Sequence, residues 1–325
     1  MVPDIQQGAT LWNPDPITVK TRVALSQKDS ATHFYLTRFV KKTTKERGDL
    51  TMDNVGFEYR NKEGETAFET FLKYSNEKEK SSAVLGRILN RLLIRDGMTF
   101  LDVGSGNGEF LRLALSRINH PQRVEFVLLE PSRDLANQLR LTTHHFPCNS
   151  TVLVECSTFE NLITNSQFDI ILASHVPLAK DQLEKLPGIF ERMLRLLKPD
   201  GSLIVVLRAK DDIHEFRTVF KSWLMGRDYR SVIIDDAVSI LEDFARTMPL
   251  RISKFSAEAE LHLPYPGNMR DVISIVEFFL NKKWKEFPDN VRQSVLEYIR
   301  QRKSILRHID GFVVAEKIPS SQTHL

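Results

Sequence analysis

Three glycines stand within five positions in "LDVGSGNGEF", residues 101 to 110, of a chain that holds only 14 glycines in 325 residues. Glycine tolerates positive φ and carries no Cβ, so Gly104, Gly106 and Gly108 between a strand and a helix let bare main chain approach a ligand closely. Such a turn alone also suits a dinucleotide, or a tight strand-to-helix connection with no ligand. Glu130 of "LLEPS" narrows the choice. It closes the next apolar segment, where a carboxylate can accept both hydrogen bonds of a ribose diol, and this points to a nucleoside. Glu109 directly after the turn is an awkward neighbour for a pyrophosphate, so the expected ligand is a nucleoside without phosphates. Asp102 is expected on the ligand side of the same turn, with a satisfied buried acid as the alternative. His175 follows the apolar segment "FDIILAS" directly, at a strand end where functional residues of α/β sheets gather. A packed, hydrogen-bonded histidine is its plainer reading.

These residues need strands and helices to hold them. Apolar Val84, Leu85, Ile88, Leu89, Leu92 and Leu93 recur at helical spacing after "TAFETFLKYSNEKEK", so one helix is expected there, stopped by Gly97. "MTFLDVG", "VEFVLLE", "TVLVEC", "FDIILAS" and "SLIVVLR" read as strands, and the helical patterns "EFLRLALSRI", "SRDLANQLRL" and "LPGIFERMLRLL" are set among them. Apolar strands separated by helices imply parallel pairing with right-handed crossovers and helices on both faces. Helical patterns "IHEFRTVFKSWL" and "DDAVSILEDFA" follow, then the alternating "RISKFSAEAELHL", two more helices, and the strand-like "GFVVAEK". The helices of residues 264–305 read as a lobe set on the sheet. Residues 1–60, with Pro3, Pro14 and Pro16 and no long apolar stripe, read as an extended arm in front of a domain of residues 61–325.

"LDVGSGNGEF", "LLEPS", "FDIILAS" and "LKPDGSLIVVL", in this order and at these intervals, resemble the seven-stranded, S-adenosylmethionine-dependent methyltransferases over residues 80 to about 210. The resemblance implies a Rossmann-like, doubly wound α/β sheet of seven strands, mostly parallel with an antiparallel last strand. It implies S-adenosylmethionine as cofactor, held by Asp102, Gly104, Ser105, Gly106 and Glu130, with Ser157 and Thr158 flanking the adenine and Ser174 facing the cofactor. "FETFLKYSNEKE", "EPS" and "LRHIDGFVVAEK" further resemble histamine N-methyltransferase and its relatives. That likeness implies that Glu77 contacts a substrate amine and that Phe68 and Phe71 line the pocket. The family's tyrosine falls at Gly64, its glutamine at His175, its asparagine before the final strand at His308, and its adenine-side glutamine at Leu135. The polar lining has therefore changed, and histamine itself is not the expected substrate.

A sulfonium-bound methyl group is already activated, so the protein's main task is alignment, which can supply roughly 7 to 11 kcal/mol of the barrier. No metal ion is expected. An amine must arrive neutral, and Glu77, His175 and His308 are the candidates to orient it or take its proton. Each has a plainer reading: Glu77 lies in a charged run that suits a solvated helix face, and Phe68 and Phe71 suit a helix core. The expected reaction is methyl transfer to a small molecule, at an amine or imidazole nitrogen. Nucleic acid as a substrate is disfavoured because "SHVPL" after the fourth strand has neither paired prolines with an aromatic residue nor a cysteine nucleophile. A nucleic-acid or protein methyltransferase, or a catalytically silent cofactor-binding subunit, stands as the alternative.

A hydrophobic content of 42% with 27% charged residues is that of a globular protein, and no apolar run is long enough for a bilayer. A membrane partner is therefore not expected. Net charge is only +3, and the one compact basic cluster, Arg38 to Arg47, reads as a solvated face. Two cysteines, Cys148 and Cys156, make neither a metal-ligand spacing nor a disulfide framework, which with the polar start "MVPDIQQGAT" leads to a cytoplasmic expectation. Trp223 and Trp284 are assigned to packing of the outer lobe.

Overall fold

Seven strands hydrogen-bond into one sheet in the order β3-β2-β1-β4-β5-β7-β6. The structure, a computed structural model, describes residues 66–318 apart from 94, 119–122, 147–149, 177–182 and 226–231. The expected arm of residues 1–60, the basic cluster Arg38 to Arg47, Gly64, Cys148 and the Trp223 side chain lie outside the described residues. Strands β1 (Met98–Val103), β2 (Val124–Leu129), β3 (Thr151–Glu155), β4 (Phe168–Ser174) and β5 (Leu197–Arg208) run parallel. β7 (Ile305–Lys317) runs antiparallel between β5 and β6 (Leu250–His262). The doubly wound sheet with a reversed last strand is thus as expected. Near-continuous apolar sequence builds its centre, because strands covered by helices on both faces have no polar side.

Two departures from the sequence reading shape the functional end. The single helix expected before the first strand is two, α1 (Ala67–Tyr74) and α2 (Glu77–Leu92). α1 opens on a capping box in which the Glu69 N–H donates to Thr66 Oγ1 and the Thr66 N–H to Glu69. It stops because Ser75 bridges to Leu261 of β6 and the Asn76 N–H donates to the Glu260 carbonyl at 3.2 Å, while the Glu260 N–H donates to Asn76 Oδ1 at 2.8 Å. Helical periodicity cannot show a break made by a strand 184 residues later in the chain. The last strand also starts earlier than "GFVVAEK", so His308 lies inside β7, opposite Ala259, and not before it. The polar letters of "LRHID" conceal a strand whose Leu306, His308 and Asp310 face inward while Arg307 faces out.

The remaining helices are α3 (Glu109–Leu115), α4 (Arg133–Thr142), α5 (Leu186–Arg195), α6 (Asp212–Met225), α7 (Ile234–Ala245), α8 (Met269–Leu280) and α9 (Asp289–Gln301). Two apolar cores are seen among the described residues. One lies among α2, α3 and the strands, around Leu85, Leu89, Phe100, Leu111 and Phe126. The other joins Phe71 of α1, Phe216 of α6, Leu261 of β6, Ile275 and Phe279 of α8, and Val295 of α9, and Trp284 packs against it. No helix among the described residues is long and apolar enough to cross a membrane.

Leu261 is fully buried in the second core and adjoins the bridge that ends α1. Leu261→Ala should lower stability by about 2 to 5 kcal/mol, read from the shift of the urea unfolding midpoint at unchanged slope.

Candidate active site

The glycine turn follows β1. Amides of Gly104 and Ser105 both donate to the Leu129 carbonyl at 2.9 Å, which fastens the turn to the end of β2. All three glycines have positive φ, but they meet different surroundings. A Cβ on Gly104 would press on Val176 and one on Gly108 on Leu139, whereas a Cβ on Gly106 would meet nothing within 4 Å. Only Gly106 faces open space, so it is the position where bare main chain can touch a ligand. Its amide donates to Glu130 Oε2 at 2.8 Å, and the Ser132 amide donates to Oε1 at the same distance. Glu130 thus sits at the turn with one lone pair on each oxygen still able to accept a hydroxyl. Burial raises its pKa and takes that of Asp102 to about 7, the Ser105 hydroxyl partly offsetting the second shift. Ser157 and Thr158 follow β3 and are half-buried, joined to β2 through the Glu130 N–H to Glu155 carbonyl bond of 3.0 Å. Ser174 ends β4 opposite Val206.

A second group of polar side chains gathers at the adjoining ends of β4, β5 and β7. The break between α1 and α2 delivers Glu77, the first residue of α2, into this group and not onto a solvated face: it is only 9% exposed. His175 comes from the end of β4 in a left-handed conformation, φ 51°, with its N–H donated to the Val206 carbonyl at 2.9 Å. Such a backbone costs a non-glycine residue of order 1–3 kcal/mol and collects at functional sites. His175 Nε2 is 3.3 Å from Asp310 Oδ2 and 3.5 Å from Glu77 Oε1. Ser81 Oγ donates to Asp310 Oδ2 at 2.5 Å, while Asp310 Oδ1 and Glu77 Oε2 are buried without a hydrogen bond.

Arg208, at the end of β5, donates from Nη1 to His308 Nδ1 at 2.7 Å and lies 3.8 Å from Glu77 and 3.7 Å from Asp211. A guanidinium has no acceptor, so His308 Nδ1 must accept and Nε2 must carry the ring hydrogen. That nitrogen donates to Ser75 Oγ at 3.3 Å. Burial and Arg208 depress the His308 pKa to about 3. Both nitrogens of His308 are engaged and the ring stays neutral, an arrangement that suits a strut between Arg208 and the helix break. Glu77, His308 and Asp310 offer ligand atoms within 4.8 Å of one another, but the cation they meet is the guanidinium.

Electrostatics divide the remaining groups. Burial, followed by the Asp310 carboxylate, pushes Glu77 up to about 7. Carboxylate oxygens of Glu77 and Asp310 lie within 4.8 Å of each other, and like charges this close inside a protein disfavour double ionisation, so one of the two keeps a proton more readily. Asp310 is the ionised one; burial opposes this, but His175 and Arg208 hold it well below the carboxylate range. His175 is raised, because Asp310 and Glu77 outweigh the effect of burial.

Sequence reading brought Glu77, His175 and His308 forward, and they meet. It missed Asp310, Arg208, Ser81 and Asp211. The inward alternation of Leu306, His308 and Asp310 was the available signal. Phe71 is 1% exposed and packs edge-on against His308 at 6.1 Å between centroids, whereas Phe68 is 46% exposed and stacks on Phe71 at 6.2 Å. Leu135 is partly exposed on α4.

Partial structural likeness reaches several solved proteins. A methyltransferase candidate from Bacillus halodurans matches with TM-score 0.47 and 14% identity over 73% of this chain and 99% of that one. The YcgJ protein of Bacillus subtilis matches with TM-score 0.44 and 15% identity over 72% and 97%. Cyclopropane synthase MmaA2 of Mycobacterium tuberculosis matches with TM-score 0.41 and 18% identity over 72% and 83%. No curated protein matches the sequence. The family model for a methyltransferase domain matches residues 77–246, more than half of the chain. With the glycine turn, the acid one strand over and the reversed last strand in place, this chain belongs to the methyltransferase domain family.

Proposed function

We propose that the chain transfers a methyl group from S-adenosylmethionine to a nitrogen of a small molecule, an amine or an imidazole, with His175 as the proton acceptor. The observation that carries this reading is His175 Nε2 set against Asp310 and Glu77 beside the glycine turn. The cofactor's place is supported by the open side of Gly106 together with Glu130 fixed next to it. Glu130 would hold the ribose hydroxyls, Asp102, Gly104, Ser105 and Ser174 the methionine side, and Ser157 and Thr158 the adenine. When bound, S-adenosylmethionine supplies a methyl group activated by the sulfonium. The likeness to histamine N-methyltransferase relatives supports nitrogen as the acceptor atom.

A nitrogen nucleophile attacks only with its lone pair free, so this chain must remove or hold a proton. Two carboxylates face His175 Nε2, hence the neutral ring keeps its hydrogen there and Nδ1 presents the lone pair. Asp310 is a positioning residue: it fixes the ring and stabilises its charged form. Glu77, titrating about 7, gives a second proton site, and the cluster titrates as a unit. General-base help of this kind is worth about 10²–10⁴-fold. Phe71 and Phe68 would supply an apolar wall. The cytosol is the proposed compartment, on cysteine usage.

Three outcomes test this reading. Gly106→Val should weaken binding of S-adenosylhomocysteine by roughly tenfold or more, about 1.4 kcal/mol per factor of ten, in calorimetry on the folded variant, and the positive φ at this position should lower its melting temperature as well; full affinity would remove the cradle. His175→Ala should lower kcat by about 10²-fold or more while cofactor affinity is kept. Because Asp310 raises the His175 pKa and the neutral ring is the active form, rate should climb with pH. Asp310→Asn should move that rise to lower pH and reduce the plateau, and an unmoved midpoint would count against the positioning role.

A further inference from the structure

Exposure within the polar cluster is unequal. His175, Arg208 and Glu77 side chains are 35%, 17% and 12% exposed, whereas Asp211 is 1% and Asp310 and His308 are fully covered. The carboxylates that balance the two cations therefore lie behind them, and a small molecule entering the cluster meets an imidazole and a guanidinium first. Arg208 has one short bond, to His308; among the described residues its Nη2 makes no hydrogen bond, and its ion pair with Glu77 is 3.8 Å long. A planar guanidinium presents five donors and suits the two oxygens of a carboxylate. Beside those donors stands the opposite need. Glu77 Oε2 is buried without a hydrogen bond, its charged neighbour Arg208 Nη2 standing off at 3.8 Å, and a buried unsatisfied acceptor is a costly group that calls for a closer partner.

We propose that the methyl acceptor is an amino acid or a related zwitterion, with its carboxylate on Arg208 and its N–H groups on Glu77 Oε2. This rests on the reading of the cluster as the acceptor site. One molecule carrying an N–H donor and a carboxylate a few bonds apart meets both unfilled groups. A zwitterion also adds no net charge to the cluster, whereas a bare ammonium or a bare carboxylate would bring one in without its counter-charge. Phe68, 46% exposed and stacked on the buried Phe71 that packs edge-on against His308, leaves apolar surface for the rest of the molecule.

The test uses ligand pairs that differ only in the carboxylate: histidine and histamine, tyrosine and tyramine, phenylalanine and phenethylamine. Each is titrated calorimetrically into the full chain saturated with S-adenosylhomocysteine, and transfer from labelled S-adenosylmethionine is measured alongside. At least one acid-bearing member is expected to bind tenfold or more tighter than its amine. Arg208→Gln should abolish that preference, and Arg208→Lys should retain part of it. If the amines bind as well as the acids, or no member of the panel binds, the proposal is overturned. Preference for the acid without any methyl transfer would support the binding assignment and count against His175 as base. Should Arg208→Gln fail to fold, the comparison in the unaltered chain decides alone.

Discussion

Charge neutrality in a confined space is the constraint on which the functional end of this molecule depends. Each ion taken from water costs several kcal/mol after relaxation, and a partner must offset it. Glu77, His175, Arg208, Asp211, His308 and Asp310 share one small volume, so their protonation states are set jointly. Burial and Arg208 keep His308 neutral, Asp310 stays ionised between Arg208 and His175, and burial with Asp310 brings Glu77 up to about 7.

Backbone register is what puts these groups within reach. Arg208 and Asp310 are direct partners across the antiparallel pair of β5 and β7, and His308 follows two residues earlier on the same face of β7. A slip of one residue in that pair would turn His308 and Asp310 to the opposite face. From the other side, Ser75 and Asn76 bind the edge of β6 and force the chain to restart a helix at Glu77. The left-handed turn at His175 aims the ring back toward β7. Four separate stretches of chain thus meet through main-chain bonds, and side-chain attraction refines an encounter already fixed by the sheet.

The parallel half of the fold was plain in the sequence because buried strands are written as apolar runs and their turns as glycine, serine and acid. Gly106 and Glu130 were legible for the same reason: the turn and the acid each have a local signature. Asp310 and Arg208 were not, since each is a polar letter at a strand end whose meaning depends on a partner about a hundred residues away. Glu77 read by charge alone would be solvated; only the strand that interrupts its helix buries it. His308 was found for its position, but its tautomer was not legible, because its proton is assigned by Arg208, which no local pattern connects to it.

The two apolar cores have a consequence for how such a protein can change. One core supports the glycine turn and the parallel strands, and the other supports Phe71, β6 and the last helices. Effects of substitutions far apart and without shared partners combine nearly independently. Residues around the second core can therefore change with limited effect on the glycine turn that the first core supports.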